Sequence, residues 1–312
     1  MRTNFNLSLL LLAGLLQGCA ILQSSHPKKQ LSELDPTCAT YEWESHPQLG
    51  PQAAIRVPIE INGHKVVFQL DTGADTSLIY DESQVGDELE VKLDKGFKYI
   101  EVPASLANYD LGKPHIYLMK EMNHPADRGT NGAVGTIGTD LLIGKILLLN
   151  FKRKMICIYA QGQLPRELAE NSYEVGAELD NGKFIIPLEF PALRQPIPLF
   201  LDTGSSALSI FTDMTIWKSL VDATAPQRII SATVWGSAVD FIGASPKSQP
   251  SLNGTMLSIE RVYYRKDKPT LFAGWNRKHL QGLVGLKPFS NKKWIYLIFD
   301  ERNPRLGISR TE

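Results

Sequence analysis

Short apolar runs recur along this chain at intervals too brief for long helices. Residues Ile55-Arg56-Val57-Pro58-Ile59-Glu60-Ile61 largely alternate apolar and other residues, Asn62-Gly63 follows, and Lys65 to Leu70 resumes the apolar pattern. Period two marks a strand with one buried face, and Asn-Gly readily adopts the left-handed conformations of a two-residue hairpin turn. The signal returns at Phe184 to Phe190, a Pro-containing turn, and Ile197 to Leu201, with further Asn-Gly pairs at Asn181-Gly182 and Asn253-Gly254. These runs predict an all-β fold, with helix expected only over Thr139 to Ile143 and Asp213 to Leu220.

The two hairpins read as copies. Val57-Pro58-Ile59-Glu60-Ile61 matches Ile186-Pro187-Leu188-Glu189-Phe190 in pattern, and the second hairpin is two residues longer. The first runs into Asp71-Thr72-Gly73 and the second into Asp202-Thr203-Gly204. Beyond each triplet comes another short apolar strand, Ser77-Leu78-Ile79-Tyr80 or Leu208-Ser209-Ile210-Phe211, and later Gly135-Thr136-Ile137-Gly138 or Gly282-Leu283-Val284-Gly285. A last strand pair closes each copy, from Phe151 to Ile158 and from Trp294 to Ile308. The chain is therefore expected to hold two related lobes, residues 53–165 and 166–312.

Composition narrows the function classes. The 33 basic and 33 acidic residues of this 312-residue chain cancel, so bulk charge gives no case for a nucleic-acid partner. Hydrophobic residues at 43% and charged residues at 21% fit a globular protein with real cores, neither disordered nor polytopic. The start of the chain is different. Arg2 precedes an apolar run from Leu7 to Leu16 broken only by Ser8 and Gly14, and Leu16-Gln17-Gly18-Cys19 follows. A membrane-spanning helix needs about 20 apolar residues, so this run reads as a signal h-region. The tetrapeptide resembles the lipobox of bacterial lipoproteins, which implies a signal peptide over 1–19 and lipidation of Cys19; a plain secretory peptide is the alternative. Ala20 resembles lipoproteins sorted to an outer membrane, so the expected location is the cell envelope, lipid-anchored and facing the periplasm.

Residues 20–52 are polar without a convincing period and read as a tether. Cys38 in that stretch and Cys157 in Met155-Ile156-Cys157-Ile158 are the remaining cysteines. An exported compartment permits a bridge between them, and two separate thiols are the equal alternative.

One Asp-Thr-Gly triplet arises by chance in roughly one chain in twenty of this length. Two triplets, each ending a strand and each followed by the same later element, are far more specific. Here the chain resembles the aspartic proteases: Leu70-Asp71-Thr72-Gly73-Ala74-Asp75-Thr76 is close to the retroviral, retropepsin-like form, and Asp202-Thr203-Gly204-Ser205-Ser206 to the pepsin form. The resemblance spans about residues 53–310. It implies a pepsin/retropepsin-like fold with the active site between two lobes, Asp71 and Asp202 as a catalytic dyad, Thr72 and Thr203 as braces, and Gly73, Gly204 and Ser205 as support.

The chemistry suits peptide hydrolysis. Two adjacent carboxylates share one proton, so one can activate water while the other protonates the carbonyl oxygen. Tyr99, in Gly96-Phe97-Lys98-Tyr99-Ile100, and Trp235, in Val234-Trp235-Gly236-Ser237, are candidate flap residues, with ordinary strand and core roles as alternatives. A monomer acting on a peptide or protein substrate is expected, with water as the only co-reactant, no cofactor and no metal. A catalytically silent peptide-binding or scaffolding lipoprotein of the same fold is the alternative. The six histidines form no His-x-x-x-His pair, Ser205 lacks a nucleophile-elbow context, and no phosphate-binding loop or dinucleotide fingerprint occurs. Two hydroxyls at these positions resemble the strongly acid-active pepsins and two alanines the retroviral enzymes of milder pH, so with Ala74 and Ser205 the resemblance implies a mildly acidic optimum of about pH 4 to 6.

Overall fold

The computed structural model of the chain describes residues 37–80, 82–86, 89–119, 132–234, 237–273 and 280–311. Strands dominate these residues and form three large sheets and a two-stranded ribbon, so the fold is all-β. The strand Gly50–Ile61 buries Ile55, Val57, Ile59 and Ile61 and leaves Pro58 and Glu60 exposed, as its alternation requires. It pairs antiparallel with His64–Leu70 around Asn62 and Gly63, whose φ values of 52° and 79° are those of a tight hairpin turn. The second copy pairs Lys183–Leu188 with Ile197–Leu201, and Leu188 lies opposite Ile197.

The duplication extends to the order of strands in each sheet. In the first half that order is Lys92–Asp94, Phe97–Glu101, His115–Leu118, Leu78–Ile79, Gly135–Ile137, His64–Leu70, Gly50–Ile61. In the second half it is Arg228–Val234, Ser237–Ala244, Val262–Arg265, Ile210–Thr212, Gly282–Val284, Ile197–Leu201, Lys183–Leu188. Strand directions match as well. His115–Leu118 runs parallel to Leu78–Ile79 and Gly135–Ile137 parallel to His64–Leu70, and their counterparts do the same. Each acid-bearing strand thus ends beside a parallel glycine-flanked strand in the middle of its sheet.

A third sheet joins the halves. Its order is Cys38–Thr40, Met155–Ala160, Lys145–Asn150, Trp294–Ile298, Arg305–Ser309, Ser172–Gly176, and the pairing of Lys145–Asn150 with Trp294–Ile298 crosses between copies. The run Ile146-Leu147-Leu148-Leu149 is buried throughout, and Leu147 and Leu149 belong to the main hydrophobic core. Burying each of these side chains contributes about 1.5–3 kcal/mol, so the join is held by a core rather than by surface contacts.

The tether reading is corrected over its last part. Cys38–Thr40 and Glu42–His46 are strands, and Cys38 lies opposite Cys157 in register and is disulfide-bonded to it. A three-residue strand is too short to show a period, and Glu42–His46 is an edge strand whose polar side chains hide its backbone pairing to Gly50–Ile61. The helix Met214–Leu220 lies within the expected segment, residues 139–141 form a 3-10 turn, and Arg166–Glu170 adds a short helix the pattern did not suggest. The Cys19 lipobox lies outside the described residues. Among the described residues no helix is long and apolar enough to cross a membrane.

Candidate active site

The two Asp-Thr-Gly turns are pinned by the strands beside them. Asp71 donates its backbone N–H to Ile137 O at 3.0 Å, and Asp202 donates to Val284 O at 2.9 Å. The glycines flanking those partner strands are obligatory. A Cβ at Gly135 would lie 2.2 Å from Leu78 O and one at Gly282 2.3 Å from Phe211 O. At Gly138 it would meet Thr76 backbone at 2.7 Å, and at Gly285 it would meet Ser205 O at 2.1 Å. The repeated Gly-x-x-Gly element is therefore the track against which each acidic turn packs.

Thr72 and Thr203 tie the turns together, and both are fully buried. Thr72 N–H donates to Thr203 Oγ1 at 2.9 Å, and Thr203 N–H donates to Thr72 Oγ1 at 3.0 Å. Each hydroxyl then donates across the interface, Thr72 Oγ1 to Leu201 O at 2.7 Å and Thr203 Oγ1 to Leu70 O at 2.8 Å. The four bonds are reciprocal, so neither turn can shift without the other.

This lock brings the carboxyl groups face to face. Asp71 Oδ1 accepts from Gly73 N–H at 2.8 Å and Ala74 N–H at 3.2 Å. Asp202 Oδ1 accepts from Ser205 N–H at 3.1 Å, and its Oδ2 accepts from Ser205 Oγ at 2.8 Å. A Cβ on Gly73 would sit 2.7 Å from Asp202 Cγ, and one on Gly204 2.5 Å from Asp71 Cγ. Each glycine thus makes room for the other copy's acid. Burial first, then the charge of Asp202 and a hydrogen bond with it, push the Asp71 carboxyl well above the ordinary carboxylate range, against the opposing pull of Gly73 N–H and the Lys183 ammonium. Such a pair retains a proton where isolated carboxylates have lost theirs.

Three neighbours were not singled out in the sequence. Ser77 donates its N–H and hydroxyl to Asp140 at 2.9 and 2.6 Å and accepts from Gly138 N–H at 2.9 Å, bracing the first turn from behind. The Tyr80 hydroxyl hydrogen-bonds the Thr136 hydroxyl; burial raises its pKa, and the Asp71 charge adds to that rise. Lys183, 5% exposed, donates to Gly73 O. Its position directly after Asn181-Gly182, at the start of an otherwise apolar strand, was the available signal.

Tyr99 lies on the hairpin at the free edge of the first sheet, opposite Lys92 and Tyr117, and its ring stacks on His115 at 3.6 Å. The turn of that hairpin is formed by Lys95 and Gly96, so Tyr99 is a strand residue three positions beyond it. The counterpart hairpin joins Arg228–Val234 to Ser237–Ala244. Trp235 lies outside the described residues. Among the described residues no group of three His, Cys, Asp or Glu side chains is placed to hold a metal ion.

No protein-family model matches the chain, and no curated protein does. Among solved structures, it is similar to the aspartic proteinase from Irpex lacteus, with 10% identity and a TM-score of 0.47 over 88% of this chain and 97% of that one.

Proposed function

We propose that this protein is an aspartic-type endopeptidase with a pepsin/retropepsin-like two-lobed architecture. The observation that carries this reading is the meeting of two aspartates, from two copies of one strand-turn element, across a reciprocal threonine lock. The unprotonated carboxyl takes a proton from water as the oxygen attacks the peptide carbonyl, and the protonated one delivers its proton to the carbonyl oxygen. Collapse of the tetrahedral intermediate breaks the C–N bond: the departing amine takes a proton from the protonated acid while a diol hydroxyl returns one to the other acid, so the dyad ends with one proton. Which acid carries the proton at rest belongs to the pair.

The test is cleavage of a diverse peptide mixture by the purified full-length protein, from about pH 3 to about pH 8. New termini that appear with the wild type and not with an acid-to-amide variant support the reading. Binding without cleavage at every pH replaces it with the silent peptide-binding protein.

The pH profile offers a sharper check. Ser205 Oγ donates to the dyad at 2.8 Å, whereas Ala74 offers no hydroxyl. A donor to a carboxylate favours its ionised form, so Ser205→Ala should move the acid limb of kcat/KM to higher pH. The wild-type profile is expected to be bell-shaped and centred at about pH 4 to 6. An unchanged acid limb in a folded Ser205→Ala protein would show that this hydroxyl does not act on the dyad.

The location we propose is the cell envelope, through lipid on Cys19. The disulfide between Cys38 and Cys157 supports an oxidising compartment. Cys19→Ser should release the protein from membrane pellets or leave an unprocessed precursor; unchanged partitioning and mass would remove the anchor.

A further inference from the structure

Lys183 stands where a lysine is costly. It opens the strand Lys183–Leu188, whose residues are buried except Pro187, and burying an ammonium costs several kcal/mol unless partners compensate. Gly182, at φ 78°, presses the turn before it against the first acidic loop, where a Cβ would meet Thr139 Oγ1 at 2.8 Å and Asp75 Cβ at 3.0 Å. The ammonium donates to Gly73 O and lies 5.5 Å from the Phe200 ring centroid. The carbonyl it binds belongs to the Gly73–Ala74 peptide, and the N–H of that same peptide is shared between Asp71 O at 3.0 Å and Asp71 Oδ1 at 3.2 Å.

We propose that Lys183 is a positioning residue for Asp71, acting through the Gly73–Ala74 peptide: its cation on the carbonyl polarises the amide and strengthens the Ala74 N–H bond to the carboxylate. This rests on the endopeptidase reading for its consequence in catalysis and deepens it. It also accounts for an asymmetry between the motifs. Asp202 has the Ser205 hydroxyl as an extra donor, and Asp71, next to Ala74, has a buried cation from the other half of the chain. Hydrogen bonds in series polarise one another, and a low-dielectric setting enlarges the effect.

The pull of the Lys183 charge on Asp71 is downward, opposite to that of burial and Asp202. Other titratable groups around the pair are Tyr80 beside Asp71, Asp75 beside Gly182, and Asp180 across the hairpin from Lys183. Asp140 sits behind the turn with Ser77. The carboxylates among these cannot supply the effect assigned to a cation.

Three variants of the full-length protein test this: Lys183→Met, Lys183→Gln, which keeps a donor without charge, and Lys183→Arg, which keeps both. The readouts are the pH profile of kcat/KM on an uncharged peptide and the carboxyl carbon resonance of Asp71 followed by NMR against pH. In the Met and Gln proteins both limbs and the Asp71 titration should move to higher pH, and kcat/KM on the acid side should fall about tenfold. The Arg protein should keep the wild-type limbs. A purely structural lysine would lower the rate at every pH without moving either limb, and unmoved limbs with an unmoved Asp71 titration in the Met or Gln protein overturn the proposal. If the wild type cleaves nothing while the resonance still moves, the endopeptidase reading fails and the link from Lys183 to Asp71 stands.

Discussion

Asp71→Asn and Asp202→Asn should each lower kcat for peptide cleavage by at least about 10³-fold while the fold persists. An amide has nearly the shape of the carboxyl it replaces and can still accept from Gly73 N–H at position 71 or Ser205 N–H at position 202. It cannot take a proton from water and return one to the departing amine. Both acids serve one proton, so the double variant should be scarcely worse than either single one. Comparable turnover in one single variant, with contaminating proteases excluded, would end the shared-dyad assignment.

The same substitution at Asp71 carries a signature in stability. The folded state raises the Asp71 pKa above its unfolded value, so the folded protein binds more protons there. Stability from this group is therefore lost as pH rises from the unfolded value through the folded one. Asp71→Asn removes that dependence, and its melting temperature should exceed that of the wild type at neutral pH and approach it in acid. On the endopeptidase reading, the dyad is held at the expense of stability, as expected where like charges are kept adjacent for chemistry.

The internal repeat was legible because its signals are local. Asn62-Gly63 and Asn181-Gly182 mark turns by backbone preference, and the second half of Gly50–Ile61 alternates. The acids were legible because both motifs are short and contiguous. The glycines of Gly135 to Gly138 and Gly282 to Gly285 could be seen as a repeated element, but their reason is a non-local contact with the backbone of another strand or turn. Lys183 was missed on the same ground: its partner, Gly73 O, lies 110 residues away and belongs to the other copy. The strands Cys38–Thr40 and Glu42–His46 were missed because backbone pairing at an edge leaves little trace in side-chain pattern. Cys38 and Cys157 could be counted but not paired, since only the register of the two strands sets them opposite each other.

Thr203→Val should be among the most damaging substitutions that leave both acids in place. Valine matches the shape of threonine but offers neither donor nor acceptor. Thr72 N–H would lose its acceptor and Leu70 O one of its donors, both at a buried site. The unpaired buried N–H costs about 1–3 kcal/mol and the lost bond to Leu70 O about 0.5–1.5 kcal/mol, so the loss should be about 1.5–4.5 kcal/mol, a large part of the 5–15 kcal/mol typical of a folded protein. The bond from Thr203 N–H to Thr72 Oγ1 remains, so the interface should loosen rather than separate. The carboxyls would then no longer be held in register, and kcat should fall more than KM rises. Thr203→Ser restores the hydroxyl and should recover most of both properties. Thr72→Val removes the other two bonds of the same network, so the two valine substitutions should be strongly non-additive in a double-mutant cycle. A Thr203→Val protein with wild-type melting temperature and kcat would mean that the halves are held in register by the shared six-stranded sheet alone, and that the threonine lock contributes nothing to the alignment of the acids.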